Sequence, residues 1–237
     1  MAKRLAESSP GSRSRTIGVA YLLYFVTAIL AVVFTRGVVV WSDAAATAAN
    51  LLMHATAFRL GFALSLIGIA LYVTVTALFY ILFRPVNRTI ALLAAFFSLV
   101  GCTIQASGVL FQIAPLNILE GGQSLAAFNV EQLHALVLLL FKMYAQSYSI
   151  GLVFFGLFDI LIGYLIFKST FLPRILGVLM ALAGLGWLTY LFPALATSLS
   201  VYVQVFGILG EAALLLWLLV MGVNEQRWNE VSAGRPA

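Results

Sequence analysis

The fold class predicted from the sequence is all-α: an integral membrane bundle of six transmembrane helices with two extracytoplasmic amphipathic helical segments. Three observations predict it. The 237 residues are 63% hydrophobic and only 9% charged, whereas soluble domains carry about 25% charged residues. The apolar residues gather into six runs, each close to the ~20 residues that cross a hydrocarbon core. The basic residues cap those runs instead of forming one face, so the net charge of +5 does not describe a nucleic-acid surface. No segment is long enough to fold into the aqueous domain that such a surface needs.

The first run, 17–35, follows a polar tail, 1–16, that carries Lys3, Arg4, Arg13 and Arg15. The tail is like the n-region of a signal peptide, and Ala44-Ala45-Ala46 is like a cleavage site. The stretch from Ile17 to Phe34 exceeds the usual h-region of about 7–15 residues, so a retained first span is expected. Further spans are expected at 58–83, 89–113, 147–167, 173–193 and 201–223, before a tail at 224–237. Between the first two spans, Ser42 or Asp43 can cap a short amphipathic helix through 44–58, because a side-chain oxygen satisfies free N–H groups at a helix start. The second amphipathic segment is Asn129 to Gln146. Continued into the fourth span it would make a helix about 58 Å long at 1.5 Å per residue. A bend near Gln146–Ser149 is therefore expected, with the outer part interfacial or re-entrant; a seventh, tightly packed span is the alternative. The third hairpin should close through a short turn around Pro193–Ser200. The turns FRPVNRT and FKSTFLPR share an aromatic, a base, a proline and a second base, an internal similarity that hairpin stacking explains as well as a repeat does.

Orientation follows from Lys and Arg. With the N-terminus inside, Lys3, Arg4, Arg13, Arg15, Arg84, Arg88, Lys168, Arg174, Arg227 and Arg235 are cytoplasmic, and only Arg36, Arg59 and Lys142 are outside. The bias places both termini in the cytoplasm, and the even number of spans agrees.

Two carboxylates interrupt the apolar runs: Asp159 in IGLVFFGLFDILIGYLIF and Glu211 in VYVQVFGILGEAALLLWLLV. An acid at bilayer depth costs about 2.5–3.5 kcal/mol on insertion scales and marks a functional-site hypothesis by default. No Lys or Arg lies at similar depth, so at least one acid is expected to be protonated at neutral pH. If the two face one cavity, the protons belong to the pair. Helical spacing groups further small and polar residues on shared faces. These are Ser200, Gln204, Gly207 and Glu211, with Gly222 farther along; Ser98, Gly101, Cys102, Gln105, Gly108 and Gln112; Gly156, Asp159 and Gly163; and Gly61, Ser65, Gly68, Tyr72 and Thr76. Close helix packing explains the glycines and serines. It explains two acids and two glutamines less well. Asp159, Glu211, Gln105 and Gln204 are therefore the candidate proton- and ligand-binding residues.

Other chemistry lacks its residues. HExxH, P-loop and GxGxxG patterns are missing. Gln105-Ala106-Ser107-Gly108 lacks the first glycine of GxSG, and no histidine inside a span can act as base. Lys142 and Lys168 lie at span ends, away from the depth a retinal Schiff base needs. Cys102 is the single cysteine and reads as a small buried residue. His54 and His134 fall in the two outer segments with no evident third ligand, so no metal site and no cofactor is expected. Arg59 can contact an outer anion or lipid phosphate, pair with Asp43, or snorkel to the interface.

The stretches DAAATAANLLMHATAFRLG, LFRPVNRTIALLAAFFSLV and GLVFFGLFDILIGYLIFKSTFLPRILGVLMALAGLGWL resemble the domain of unknown function 4386 family of bacterial multi-pass membrane proteins, over about residues 15–220. The resemblance implies a helical multi-pass fold in a prokaryotic cytoplasmic (inner) membrane and implies no activity. Asp43, Arg59, Arg84-Pro85, Asn87-Arg88 and Pro173-Arg174 fall in the matching stretches; the family pattern does not require an acid at Asp159. Three functions stay open. One is a small carrier or ligand-binding protein with a mid-membrane polar pocket carrying the two acids. Another is a membrane enzyme acting on a lipid or isoprenoid substrate. The third is a non-catalytic sensing or partner protein. The expected partners are membrane lipids and a small-molecule or ion ligand, with no nucleic acid and the oligomeric state open.

Overall fold

The computed structural model describes residues 9–121 and 127–233. The expected basic residues Lys3, Arg4 and Arg235, and the outer parts of both tails, lie outside the described residues. Of the described residues 87% are helical, and none lies in a strand. In chain order the helices are α1 (Pro10–Thr35), α2 (Ala44–Met53), α3 (Ala55–Phe83), α4 (Arg88–Glu120), α5 (Val130–Lys168), α6 (Arg174–Leu188), α7 (Pro193–Val220) and α8 (Glu225–Ser232), with a 3-10 turn at Thr189–Leu191. Six of these segments are long and apolar enough to cross a membrane; α2 is the shorter apolar helix between the first two.

Polar side chains set the helix starts. Asp43 accepts from Ala46 N at 2.8 Å and caps α2. Asn87 accepts from Ile90 N at 3.0 Å ahead of α4. Asn129 and Gln132 each accept the other's backbone N–H, a reciprocal box at the start of α5. Asn224 accepts from Arg227 N before α8. α3 stops at Phe83 two residues before Pro85, which disfavours helical geometry in the residue ahead of it. Gly222 closes α7 with a φ of +71°, a left-handed conformation open to glycine.

Three expectations about elements are corrected. α5 runs unbroken through Gln146–Ser149, so its outer half continues the fourth span as one helix and is not a separate element. No glycine or proline interrupts Val130–Ile150, and the Ser147 and Ser149 hydroxyls donate to the carbonyls of Met143 and Ala145, inside the helix's own ladder. α4 continues past residue 113 to Glu120 with Pro115 inside it, and fully buried Leu116 holds the extension in place. The turn expected at Pro193–Ser200 is helical; the chain reverses at Thr189–Phe192 instead, and α7 starts at Pro193. Proline suits a first helical position because the N–H it lacks has no intrahelical partner there.

The contacts divide the chain into two compact units. The first contains the chain up to Leu23, Leu71–Cys102 and the chain from Ile150 onward. Its interior holds interlocking rings: Tyr72 meets Phe155 edge-on at 4.9 Å, and Tyr21 meets Tyr72 and Phe79 at 6.1 and 5.9 Å. α5 and α6 cross through paired glycines. A Cβ on Gly163 would stand 2.6 Å from Gly177 O, and one on Gly156 would stand 2.8 Å from Gly184 O. Spacing of seven on both helices brings the backbones together twice, the close approach that small residues permit in membranes. At one end of this unit Glu225 accepts from Ser9 Oγ and Gly11 N, Arg13 lies over the Trp228 ring, and Trp228 Nε1 donates to Leu82 O at 3.1 Å.

The second unit contains Tyr24–Ala70 and Thr103–Ser149. Its core is Val38, Leu51, Phe58, Leu116, Val137 and Phe141. α2 buries Thr47, Ala48 and Leu51, and the Thr47 hydroxyl joins it to Val40 N and Val40 O. The expected amphipathic helix is therefore present and packs on protein.

Candidate functional site

In the first unit, Asp159 and Glu211 come together. Asp159 lies nine residues from Lys168, Glu211 nine from Val220, and Tyr21 eleven from Pro10. At 1.5 Å per residue each acid is about 14 Å from its helix end, nearly half of a hydrocarbon core of about 30 Å, whereas Tyr21 lies only six residues beyond Arg15. Asp159 is fully buried and Glu211 is 9% exposed, and the two interact electrostatically. Tyr21 Oη donates to Glu211 Oε2 at 2.8 Å. The Trp187 indole N–H lies in reach of both carboxyls without the geometry of a hydrogen bond, and neither Asp159 oxygen has a hydrogen-bond partner. Among the described residues the one ion pair joins Arg59 to Glu120, so neither deep acid is balanced by a base.

The positions follow from local packing. Gly156 and Gly163 press α5 onto α6, which leaves Asp159 between them on the covered side. On α7 the contact line toward α6 is Val203, Gly207 and Gly210, against Gly186, Trp187 and Ala183. Gln204 sits one residue off this line and is exposed. It shares a face with Glu211, seven residues on, but that face is covered at Glu211 and open at Gln204, so the two do not line one pocket.

Gln105 belongs to the second unit, where it lines a cavity of about 130 Å³ together with Tyr24, Ser65, Gln112, Tyr144 and Tyr148. Neither acid is among the lining residues. The single pocket expected to hold both acids and Gln105 is thus two separate features. Arg59 pairs with Glu120 in place of Asp43, which is engaged as a cap. His54 is exposed at the end of α2, and His134 is half-buried in the first turns of α5. No group of three metal-ligating side chains occurs among the described residues. Cys102 is buried, as expected.

Sequence reasoning missed Tyr21 and Trp187. Tyr21 carried no signal, because it lies four residues into the first expected span, where tyrosine is an ordinary interfacial residue. Trp187 is close to the end of α6 and carries none either.

The fold and the buried acids define a multi-pass helical membrane protein with a carboxyl pair at mid-depth. The chain belongs to the family described as a domain of unknown function (DUF4386), which matches residues 16–222. A protein of Archaeoglobus fulgidus described as uncharacterized is 28% identical over 163 residues, covering 67% of this chain and 83% of the relative. No solved structure matches the chain.

Proposed function

We propose that this protein is a small proton-linked carrier of the prokaryotic cytoplasmic membrane, with the Asp159–Glu211 pair as its proton site. One observation carries the reading: two buried carboxyls lie within electrostatic range of one another with no ion-paired base, and the oxygens of Asp159 have no hydrogen-bond partner. Two like charges desolvated together are strongly disfavoured, and a shared proton removes one of them. The Trp187 indole N–H is in reach of both carboxyls and bonded to neither, so it leaves the proton free to pass between them. Tyr21 then orients Glu211, and the proton moves within the pair as a coupled titration. Both termini in the cytoplasm fit the basic residues, and the Glu225 contacts to Ser9 and Gly11 join the two terminal segments at one end of the first unit.

The test uses the full chain in proteoliposomes with an imposed pH gradient and small uncharged solutes outside. Asp159→Asn and Glu211→Gln should each abolish gradient-dependent uptake while the protein remains folded. Infrared spectra of the wild type should show a protonated-carboxyl band near neutral pH that the two substitutions together remove. Unchanged uptake in both variants, or no such band in the wild type, would remove the proposal.

A further inference from the structure

We propose that the cavity of the second unit is a binding site for a small, uncharged solute that both donates and accepts hydrogen bonds. This site is separate from the carboxyl pair and stands whether or not that pair carries protons. Four helices, α1, α3, α4 and α5, contribute its walls. None of the lining residues carries a formal charge, so a charged ligand would be desolvated there without compensation.

The polar groups that face it are mixed: the hydroxyls of Tyr24, Tyr144 and Tyr148 and the amides of Gln105 and Gln112 can donate, and one buried acceptor is left over. Gln112 is 3% exposed and its Oε1 has no hydrogen-bond partner. A buried carbonyl left in this state is destabilising, so it marks a place for a donor. Ser65 Oγ and Thr35 Oγ1 also line the cavity, and each gives its proton to a helix carbonyl, Gly61 O at 3.0 Å and Ala31 O at 2.9 Å. Their lone pairs are what remains for a ligand. The matching occupant presents an N–H or O–H group to Gln112 Oε1 and an oxygen that can accept from the tyrosine and amide donors of the lining. Size narrows it further: an apolar cavity of about 150 Å³ accepts a benzene ring, so this one holds a solute of about five or six non-hydrogen atoms. Short polyols and small amides have that size and those groups. Water alone, about four molecules at ~30 Å³ each, is the competing occupant.

Saturation-transfer NMR on the full chain in nanodiscs separates these, with methylurea and glycerol as probes and tetramethylammonium and acetate as charged comparators. The wild type should transfer saturation to methylurea and glycerol and to neither ion. Gln112→Met removes the acceptor at similar volume and should weaken the transfer about tenfold, the scale of one neutral hydrogen bond. It should also melt at or above the wild-type temperature, because an orphaned acceptor is gone. Gly68→Val is the second variant: a Cβ at Gly68 meets nothing nearer than Thr27 Oγ1 at 3.4 Å, so the added side chain fits the backbone and fills the cavity, and transfer should be lost. No transfer from the wild type would mean water only and overturn the proposal. So would transfer undiminished in both variants, a preference for either ion, or a lower melting temperature for Gln112→Met, which would make that glutamine structural. None of these readings uses a pH gradient, so failure here and failure of the proton-site proposal are distinguishable.

Discussion

Removing the Tyr21 hydroxyl tests how Glu211 is held. In Tyr21→Phe the ring stays, and with it the edge-on contacts to Tyr72 and Phe79 at 6.1 and 5.9 Å. What disappears is one hydrogen bond of 2.8 Å between side chains that are 0% and 9% exposed. Such a bond contributes about 0.5–1.5 kcal/mol to a neutral acceptor and about 1.5–3 kcal/mol to a charged one. The expected loss is therefore about 1 kcal/mol where Glu211 is protonated and about 2 kcal/mol where it is ionised. For a chain of this length that is a fall of about 2–8 °C in melting temperature, and the fall should deepen as pH rises. Circular dichroism melts of Tyr21→Phe, Glu211→Gln and the double variant, at several pH values, form the cycle. Groups bonded to each other should show a coupling of about 0.5–3 kcal/mol. Additivity within about 0.5 kcal/mol at every pH would refute the view that Tyr21 holds Glu211, and with it the oriented pair.

The other predictions concern the scaffold. Gly163→Leu should strongly reduce the yield of folded protein, because its Cβ would stand 2.6 Å from Gly177 O and 2.8 Å from Ala181 N; overpacking of this kind costs about 1–3 kcal/mol, and size-exclusion profiles with melts after purification check it. Gly68→Ala, with 3.4 Å to its nearest neighbour, should be tolerated in the same assay. Asp43→Ala removes the cap on Ala46 N and should weaken α2 by about 1 kcal/mol; faster hydrogen exchange at the Ala46 and Thr47 amides, with little change elsewhere, is the expected readout.

The sequence alone determined the membrane class, the six spans, the cap before α2 and the identity of the two deep acids. These are local properties: length and hydropathy of a run, a side-chain oxygen before a helix, a charge with no base at its depth. It also showed α2, because Asp43 precedes a segment with one apolar face. The long α5 was misjudged for a different reason. Bilayer thickness argued for a bend, but nothing in Val130–Ile150 breaks a helix, and Val137 and Phe141 find partners in a core that only distant segments supply. The same limit governs the site. Helical spacing put Gln204 on the face of Glu211, and Gln105 was expected in one pocket with both acids; tertiary contacts left Gln204 exposed, gave Gln105 to the cavity of the second unit, and brought Tyr21 to Glu211 across 190 residues. Spacing along one helix defines which residues share a face. Which face meets which helix depends on where glycines let backbones approach, and that is settled only when the helices pack.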